Sequence, residues 1–272
     1  MDRSVPLNLR RHFDNIAEAY YQIVDRIWYD VGYYHKREGE FLREQLSQPL
    51  NLALDAGCGP GRHLLTLLER AHVVIAIDFS RQMLSKARDA IPPHRRGRIH
   101  FVQADVRRIP LRMGVTDLVI NIEVLEHLPG GLADARSTLA EFRRVLKSHG
   151  SLVIEAPLER HRRWDHIWSK PASYKELTEE EKTRYYEKFP LTVEHLFLDE
   201  DLDSLLERAG FLIETKRYVR FFPAGLIERH PSLELVDKVI ERVPFLNRVC
   251  REAMWYMRVN LRRSRKPFAW AH

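Results

Sequence analysis

The sequence predicts an α/β fold in which a mostly parallel sheet is covered by helices on both faces. The main observation is that short apolar segments alternate with segments of helical periodicity along residues 49–157. Short strands that are apolar on every residue are typical of a parallel sheet buried on both faces. A second observation is that acidic, amide or glycine residues follow most of these segments. They lie at the strand ends where ligands bind in such folds.

The predicted chain consists of a helical segment at residues 1–48 and an α/β domain at residues 49–272. Apolar side chains at helical spacing predict two helices in the first segment, from Asp14 to Trp28 and from about Tyr34 to Leu46. The α/β domain begins with strand Asn51–Asp55, helix Arg62–Arg70, strand Val73–Asp78, helix Arg81–Ile91, strands Ile99–Gln103 and Asp117–Ile122, helix Ala133–Lys147 and strand Ser151–Ala156.

Two residues mark the ends of predicted helices. Ser80 precedes the helix at 81–91, and its side-chain oxygen can cap the first turn. Gly150 follows the helix at 133–147 and is expected to end it as a C-terminal cap.

Two insertions interrupt the alternation of strands and helices. Residues 158–198 are rich in charged and aromatic side chains and are too long for a plain connection, so we expect a lid or a partner-binding segment there. Residues 223–251 form the second insertion. The elements predicted in this part of the chain are helix Asp199–Ala209 with a Gly210 stop, a strand from Phe211 to about Phe222, helix Leu233–Arg242 and a strand near Met254–Leu261, before the basic run Arg262–Lys266.

The most informative segment is the turn after the first strand, Asp55-Ala56-Gly57-Cys58-Gly59-Pro60-Gly61-Arg62. Glycines at alternate positions let a ligand approach the backbone closely, and the helix behind them directs free N–H groups at it. A dinucleotide-binding turn requires a third glycine where this chain has Arg62, which argues against NAD. The carboxylate of Asp55 instead suits a ligand that carries positive charge.

Three further strand ends carry residue types that bind a nucleoside. Asp78 can accept hydrogen bonds from both hydroxyls of a ribose. Asp105 can accept from an exocyclic amine, and Val106 offers a backbone N–H and apolar contact to a base. The fourth strand ends at Asn121-Ile122 and continues into Glu123-Val124-Leu125-Glu126-His127-Leu128.

This series of motifs resembles the class I S-adenosylmethionine (SAM) methyltransferases, in particular the type 11 subgroup that includes quinone-biosynthesis enzymes. The resemblance covers about residues 50–157 well and residues 195–222 moderately. It implies SAM as cofactor and a doubly wound, Rossmann-like sheet of seven strands whose last strand is antiparallel. Residues 223–251 depart from the pattern, since the last two strands of the family normally form a near-hairpin.

The resemblance also implies which residues contact the cofactor, namely Asp55, Gly57, Cys58, Gly59, Gly61, Asp78, Phe79, Met83, Asp105, Val106, Asn121, Ile122 and Tyr20. Tyr20 has two interpretations, because a tyrosine of the family's N-terminal segment closes over the cofactor, but Tyr20 also belongs to an apolar helical stripe.

His127 and Glu126 lie just past the fourth strand, near where the methyl group is expected to project. They are the candidate catalytic residues, with His127 as a general base or both in an acceptor site. The alternative is that His127 packs under the rim of the sheet. One His–Glu pair is too little to indicate a metal, and none is expected.

The composition is that of a globular protein, with 44% hydrophobic and 30% charged residues among 272. No stretch approaches the roughly 20 apolar residues of a membrane span, and the N-terminus has no signal-peptide core. The chain contains only two cysteines, Cys58 and Cys250, so we expect a reducing, cytoplasmic location without a disulfide framework. The net charge of +6 permits an anionic partner.

The leading hypothesis is a methyltransferase that acts on a small molecule, such as a quinone-like or lipid precursor, by in-line displacement. One alternative is an RNA-modifying methyltransferase, which the positive charge favours. The other is a non-catalytic SAM-binding regulator or scaffold, with residues 233–243 as a partner or membrane-surface helix. Weak contact of that helix and the basic run with a membrane surface is a further expectation.

Overall fold

The computed structural model describes residues 7–18, 20, 31–46, 48–157, 197–219, 221–222, 226–227, 230–250 and 256–263. The strands are β1 (Leu50–Ala56), β2 (Ala71–Asp78), β3 (Ile99–Gln103), β4 (Thr116–Ile122), β5 (Leu146–Pro157), β6 (Phe211–Val219) and β7 (Tyr256–Arg263). The helices are α1 (Leu7–Ile16), α2 (Val31–Gln45), α3 (Leu64–Leu67), α4 (Arg81–Ala90), α5 (Pro93–Arg96), α6 (Leu132–Val145), α7 (Asp199–Arg208), α8 (Leu233–Arg242) and α9 (Pro244–Cys250), with a 3₁₀ turn at Leu125–His127.

The strands form one sheet in the order β3-β2-β1-β4-β5-β7-β6. Strands β1 to β5 are parallel to one another, and β7 lies antiparallel between β5 and β6. The strand order reverses between β1 and β4, because the chain moves outward through β2 and β3 before it returns to β4. The predicted α/β fold with a mostly parallel sheet is confirmed, and the reversal marks the edge where ligands bind in such sheets.

Helices cover both faces of the sheet. On one face Leu139 and Phe142 of α6 pack with Leu54 of β1, and on the other Leu84 and Ala87 of α4 belong to the same core as Ala53 of β1. Successive residues of β1 therefore enter different cores. This two-sided burial explains why the strands are apolar on every residue rather than on alternate ones.

Helix α1 at Leu7–Ile16 begins before the first helix that the sequence predicts. The predicted helix from Asp14 to Trp28 is wrong at residues 17–18, where a turn follows α1; residue 20 is helical, and residues 21–30 lie outside the described part. Phe13 and Ile16 pack against Met83 of α4, and Asp14 accepts a hydrogen bond from the Ser80 hydroxyl at 2.6 Å. These tertiary contacts fix α1.

The two predicted helix ends have different outcomes. The Ser80 cap is confirmed, since its oxygen accepts a hydrogen bond from the Met83 N–H at 3.1 Å. The Gly150 cap is wrong, because α6 ends at Val145 and β5 continues through residue 150. A Cβ at Gly150 would lie 3.2 Å from the Asp117 carbonyl oxygen, so this glycine permits a close strand approach beside an irregularity in the β4–β5 register.

The remaining elements follow the prediction with shifted ends. Helix α3 is limited to Leu64–Leu67, β6 ends at Val219, and the last strand lies at Tyr256–Arg263. The described part of the second insertion contains α8 and α9, whereas residues 158–196 of the first insertion and residues 264–272 lie outside the described ranges. Among the helices that the structure describes, none combines the length and apolarity that a bilayer crossing requires.

Candidate active site

A cavity opens at the carboxyl ends of β1, β2, β3 and β4, next to the reversal in strand order. Its open volume is about 980 Å³, which includes solvent at the mouth. The segments that follow the four strands form most of the wall, and Leu9 and Phe13 of α1 line it together with Tyr20. Of the residues predicted to bind the cofactor or to act in catalysis, the cavity wall contains Tyr20, Asp55, Gly57, Cys58, Gly59, Asp78, Phe79, Met83, Asp105, Val106, Ile122 and His127.

The glycine turn is held against β2 by its backbone. The N–H groups of Gly57 and Cys58 both donate to the Ile77 carbonyl, at 2.8 and 2.9 Å. Gly57 has a φ of 88°, and a Cβ there would lie 2.4 Å from Val124. A side chain at Gly57 would therefore clash with the segment after β4 and strain the backbone. The turn brings the ends of β1, β2 and β4 together around the cavity.

Asp55 ends β1 as a buried carboxylate in the cavity wall. Within the described residues its Oδ2 has no hydrogen-bond partner. Burial raises the pKa of Asp55 to about 7, with the negative charge of Asp78 adding to the effect and Arg62 opposing it. A buried carboxylate is stabilised by a cation or a donor placed against it. The site therefore favours a ligand that brings positive charge to the glycine turn.

Asp78 ends β2 and has partners on both of its carboxylate oxygens. It accepts hydrogen bonds from the N–H of Gly59 at 2.9 Å and from the N–H of Ser80 at 2.8 Å. Burial raises the pKa of Asp78 to about 6, and these N–H groups oppose the shift. A carboxylate offers about four acceptor positions, so it can still bind two hydroxyls of a ligand.

Asp105 after β3 is bound by an arginine that the sequence reasoning missed. Arg107 donates to Asp105 through Nε and Nη2, the latter at 2.7 Å, and through Nη1 to Asp134 of α6 at 2.6 Å. An exocyclic amine would share the Asp105 carboxylate with this guanidinium. The sequence around Asp105 did not indicate a role for Arg107, because its second partner, Asp134, is distant in sequence.

Arg62 occupies the centre of a charged cluster between α2 and the end of β4. Its guanidinium contacts His35, donates to Glu123 at 3.1 Å and lies 3.5 Å from Glu38. Burial alone would lower the pKa of Arg62, but the carboxylates of Glu38 and Glu123 outweigh it and raise the pKa. Ligand atoms of His35, Glu38 and Glu123 lie within 4.8 Å of one another, a grouping that can hold a metal ion. The guanidinium that lies against these three side chains already supplies positive charge there.

His127 lies in the cavity wall at the end of the 3₁₀ turn. Its ring packs edge-on against Phe13 with centroids 5.4 Å apart, and among the described residues Nδ1 has no hydrogen-bond partner. Burial lowers the pKa of His127 to about 4, despite the nearby charge of Glu123. The imidazole is therefore neutral near pH 7 and can accept a hydrogen bond, but the lowered pKa makes it a weak base.

Glu126, Gly61 and Asn121 are predicted site residues that lie outside the cavity wall. Glu126 is buried, because consecutive side chains of a 3₁₀ turn point in different directions. A Cβ on Gly61 would lie 3.0 Å from Ala87, so this glycine permits close packing against α4. The Asn121 amide donates to the Ala56 carbonyl at 2.7 Å and supports the end of β1. Direct contact of these three residues with a ligand stays a prediction.

The sequence reasoning missed part of the cavity wall, namely Leu9, Phe13, Pro60, Arg62, His63, Arg107, Glu123, Val124, Leu128 and Pro129. The i, i+4 spacing of Leu9 and Phe13 could have indicated a helical face there. Phe13 packs edge-on against both Phe79 and His127, with 5.4 Å between centroids in each case. Phe13 therefore provides apolar surface next to His127 in the cavity wall.

Residues 54–154 match a family model described as a methyltransferase domain. A probable S-adenosylmethionine-dependent methyltransferase of Mycobacterium tuberculosis is 32% identical over 104 residues, which make up 38% of this chain and 35% of that protein. The chain therefore spans about a third of that relative's length.

Two solved structures resemble the chain in fold. The geranyl diphosphate C-methyltransferase of Streptomyces coelicolor A3(2) has a TM-score of 0.57 and 15% identity, over 84% of this chain and 77% of the other. The 4+2 cyclase SpnF has a TM-score of 0.56 and 19% identity, over 84% and 80%. At these identities the likeness concerns the fold alone. Residues 54–154 are therefore similar to a methyltransferase domain, and the chain shares its fold with these two solved structures.

Proposed function

We propose that this chain binds SAM and transfers its sulfonium methyl group to a small-molecule acceptor. The observation that carries the proposal is the buried Asp55 carboxylate, whose Oδ2 has no partner among the described residues and which lies in the cavity wall beside the glycine turn. SAM has an ammonium and a sulfonium group, so it can supply the positive charge that this carboxylate requires.

The charge of the whole wall supports the same ligand. Acidic side chains outnumber guanidinium groups there, with Asp55, Asp78, Asp105 and Glu123 against Arg62 and Arg107. A ligand with a net positive charge is attracted to such a wall, and the attraction is strong where water is excluded. SAM carries one positive charge more than S-adenosylhomocysteine, so the site favours the methyl donor over the product.

The strand ends suggest the orientation of the cofactor. We assign the methionine part to the turn at Gly57, Cys58 and Gly59, and the ribose to Asp78. The adenine would lie against Asp105, Val106 and their neighbours Phe79 and Met83. Ile122 and Tyr20 complete the assigned contacts.

The chemistry requires mainly alignment from the protein. Bound SAM supplies an electrophilic methyl group, which the acceptor attacks in line as the carbon–sulfur bond breaks. The neutral His127 ring can take the proton of an acidic acceptor as the methyl group is transferred. Leu9, Phe13 and Leu128 add apolar surface to the cavity wall.

An apolar acceptor suits this part of the wall best. Leu9, Phe13 and Leu128 present hydrocarbon surface in the cavity wall, and Phe13 contacts His127. We therefore favour a quinone-like or lipid precursor over a polar acceptor.

Calorimetric titration with SAM tests the cofactor assignment. Asp78→Ala should weaken SAM binding about 100-fold or more, because a charged acceptor for two ribose hydroxyls is lost. Asp89→Ala, at an exposed position of α4, is the matched control and should bind like the wild type. Unchanged SAM affinity in Asp78→Ala would refute the ribose assignment.

A further inference from the structure

Helices α8 and α9 expose several large apolar side chains. Leu235, Val236 and Val239 lie on α8, Val243 follows directly after it, and Phe245 and Val249 lie on α9. Leu235, Phe245 and Val249 are 68%, 74% and 60% exposed. We call these six residues the α8–α9 face. Large apolar patches of this kind usually mark an interaction surface.

The inward side of α8 carries two carboxylates as well as Ile240. Asp237 is fully buried and accepts a hydrogen bond from the Phe221 N–H at 3.0 Å. Glu241 is also buried and forms an ion pair of 2.6 Å with Arg37 of α2. An ordinary surface helix buries its apolar stripe and exposes its charges. In α8 two carboxylates are turned inward, which fixes the valines and the leucine on the outside.

The exposed charge beside this face is positive. Two of the three acidic residues of α8 are the buried Asp237 and Glu241, and the third, Glu234, forms an ion pair with Lys238. Arg248 on α9 is exposed, and α9 contains no acidic residue. The exposed Arg242 at the end of α8 shares the Glu44 carboxylate of α2 with Arg217, so this group keeps one excess positive charge.

We propose that the α8–α9 face docks on an anionic lipid surface. Stable attachment to a membrane interface takes two contributions, apolar side chains that enter the boundary of the acyl chains and cations that contact the headgroups. The α8–α9 face supplies both on adjacent helices. A second copy of the chain fits less well, since a two-fold contact through this face would bring the cations of both copies together.

Flotation of the full-length chain with lipid vesicles tests the proposal. We expect binding to vesicles of phosphatidylcholine mixed with phosphatidylglycerol, weaker binding to phosphatidylcholine alone, and a decrease with added salt. The double substitution Leu235→Glu and Phe245→Glu should reduce partitioning about tenfold or more. Arg248→Gln should reduce it about fivefold, and only on the anionic vesicles. Met113→Glu, at a 69% exposed apolar residue far along the chain, is the matched control and should bind like the wild type.

Circular dichroism and thermal unfolding check that each variant is folded. The flotation experiment contains no SAM, so its result does not depend on the proposed methyltransferase activity. Absence of vesicle binding by the wild type would overturn the proposal, as would equal binding by the double variant. A wild-type dimer in sedimentation equilibrium that the double substitution dissociates, without vesicle binding, would assign the face to a second copy instead.

Discussion

Asp55 combines a cost to the folded protein with a use in ligand binding. Its carboxylate is buried without a partner on Oδ2 among the described residues, and its pKa is raised to about 7. An acid whose pKa is higher in the folded than in the unfolded chain lowers stability as the pH rises from its ordinary value through the folded value. The cost is present at neutral pH, where a bound cation would remove it.

Binding of SAM should therefore become tighter as the pH rises from about 6 to about 8, and should release a proton near pH 7. Calorimetry in buffers of different ionisation enthalpy measures that proton. Asp55→Asn should abolish the pH dependence and weaken SAM binding. It should also stabilise the ligand-free protein at pH 8 by roughly 1–3 kcal/mol, because a buried charge is removed. A pH-independent affinity in the wild type would contradict this account of Asp55.

His127 is predicted to act on the acceptor rather than on the cofactor. His127→Gln should lower the rate of methyl transfer by about 100-fold or more while SAM affinity stays within about twofold, because general-base catalysis contributes that much. His94→Gln, at an exposed position of α5, is the control. Since the pKa of His127 is lowered to about 4, we expect its contribution to be constant between pH 6 and 9. An unchanged rate of methyl transfer in His127→Gln would show that the His127 ring only packs in the cavity wall and does not act as a base.

Among the helices, α2 connects two charged regions of the molecule. It carries Arg37, which pairs with Glu241 of α8, and Glu38, which lies beside Arg62 of the cavity wall. Both partners of the Arg37–Glu241 pair are 2% exposed, so water cannot replace either one. Breaking such a pair leaves an uncompensated buried charge.

Arg37→Met should therefore lower the free energy of unfolding by about 3–5 kcal/mol, measured by urea denaturation. Arg43→Met, on the same helix but half-exposed in its pair with Glu69, should cost less than about 1 kcal/mol. A similar small loss for both variants would show that the buried pair is not important for docking α8.

The elements with local signals could be predicted, and those fixed by distant contacts could not. The apolar β1 and β2 and the Ser80 cap of α4 are encoded within a few residues, and they lie close to where the pattern places them. The part of α1 before Asp14 was not predicted because its position depends on packing against Met83, some seventy residues away. Gly150 was assigned to a helix end because a glycine in an irregular strand carries the same sequence signal.

The site shows the same division. Asp55, Asp78 and Asp105 follow their strands and meet at one edge, as parallel strands require. Arg107 pairs with Asp134 of α6, and no spacing rule joins two residues from different elements. Asn121 has the residue type of a ligand contact but bonds to the end of β1.

For the whole molecule, the order of the strands decides where the ligand lies. The reversal between β1 and β4 collects four strand ends around one cavity, and α1 adds apolar side chains to its wall. The fold alone does not establish methyl transfer, since one structure of similar fold is named as a cyclase. The activity has to be measured on this chain.

The most direct measurement is transfer of a labelled methyl group. The full-length chain is incubated with SAM labelled in its methyl group and a cell extract, which is then separated into small-molecule, lipid, RNA and protein fractions. We predict label in the small-molecule or lipid fraction, and none when Asp78→Ala replaces the wild type. Label in RNA alone, or SAM binding without transfer to any fraction, would contradict the proposed function.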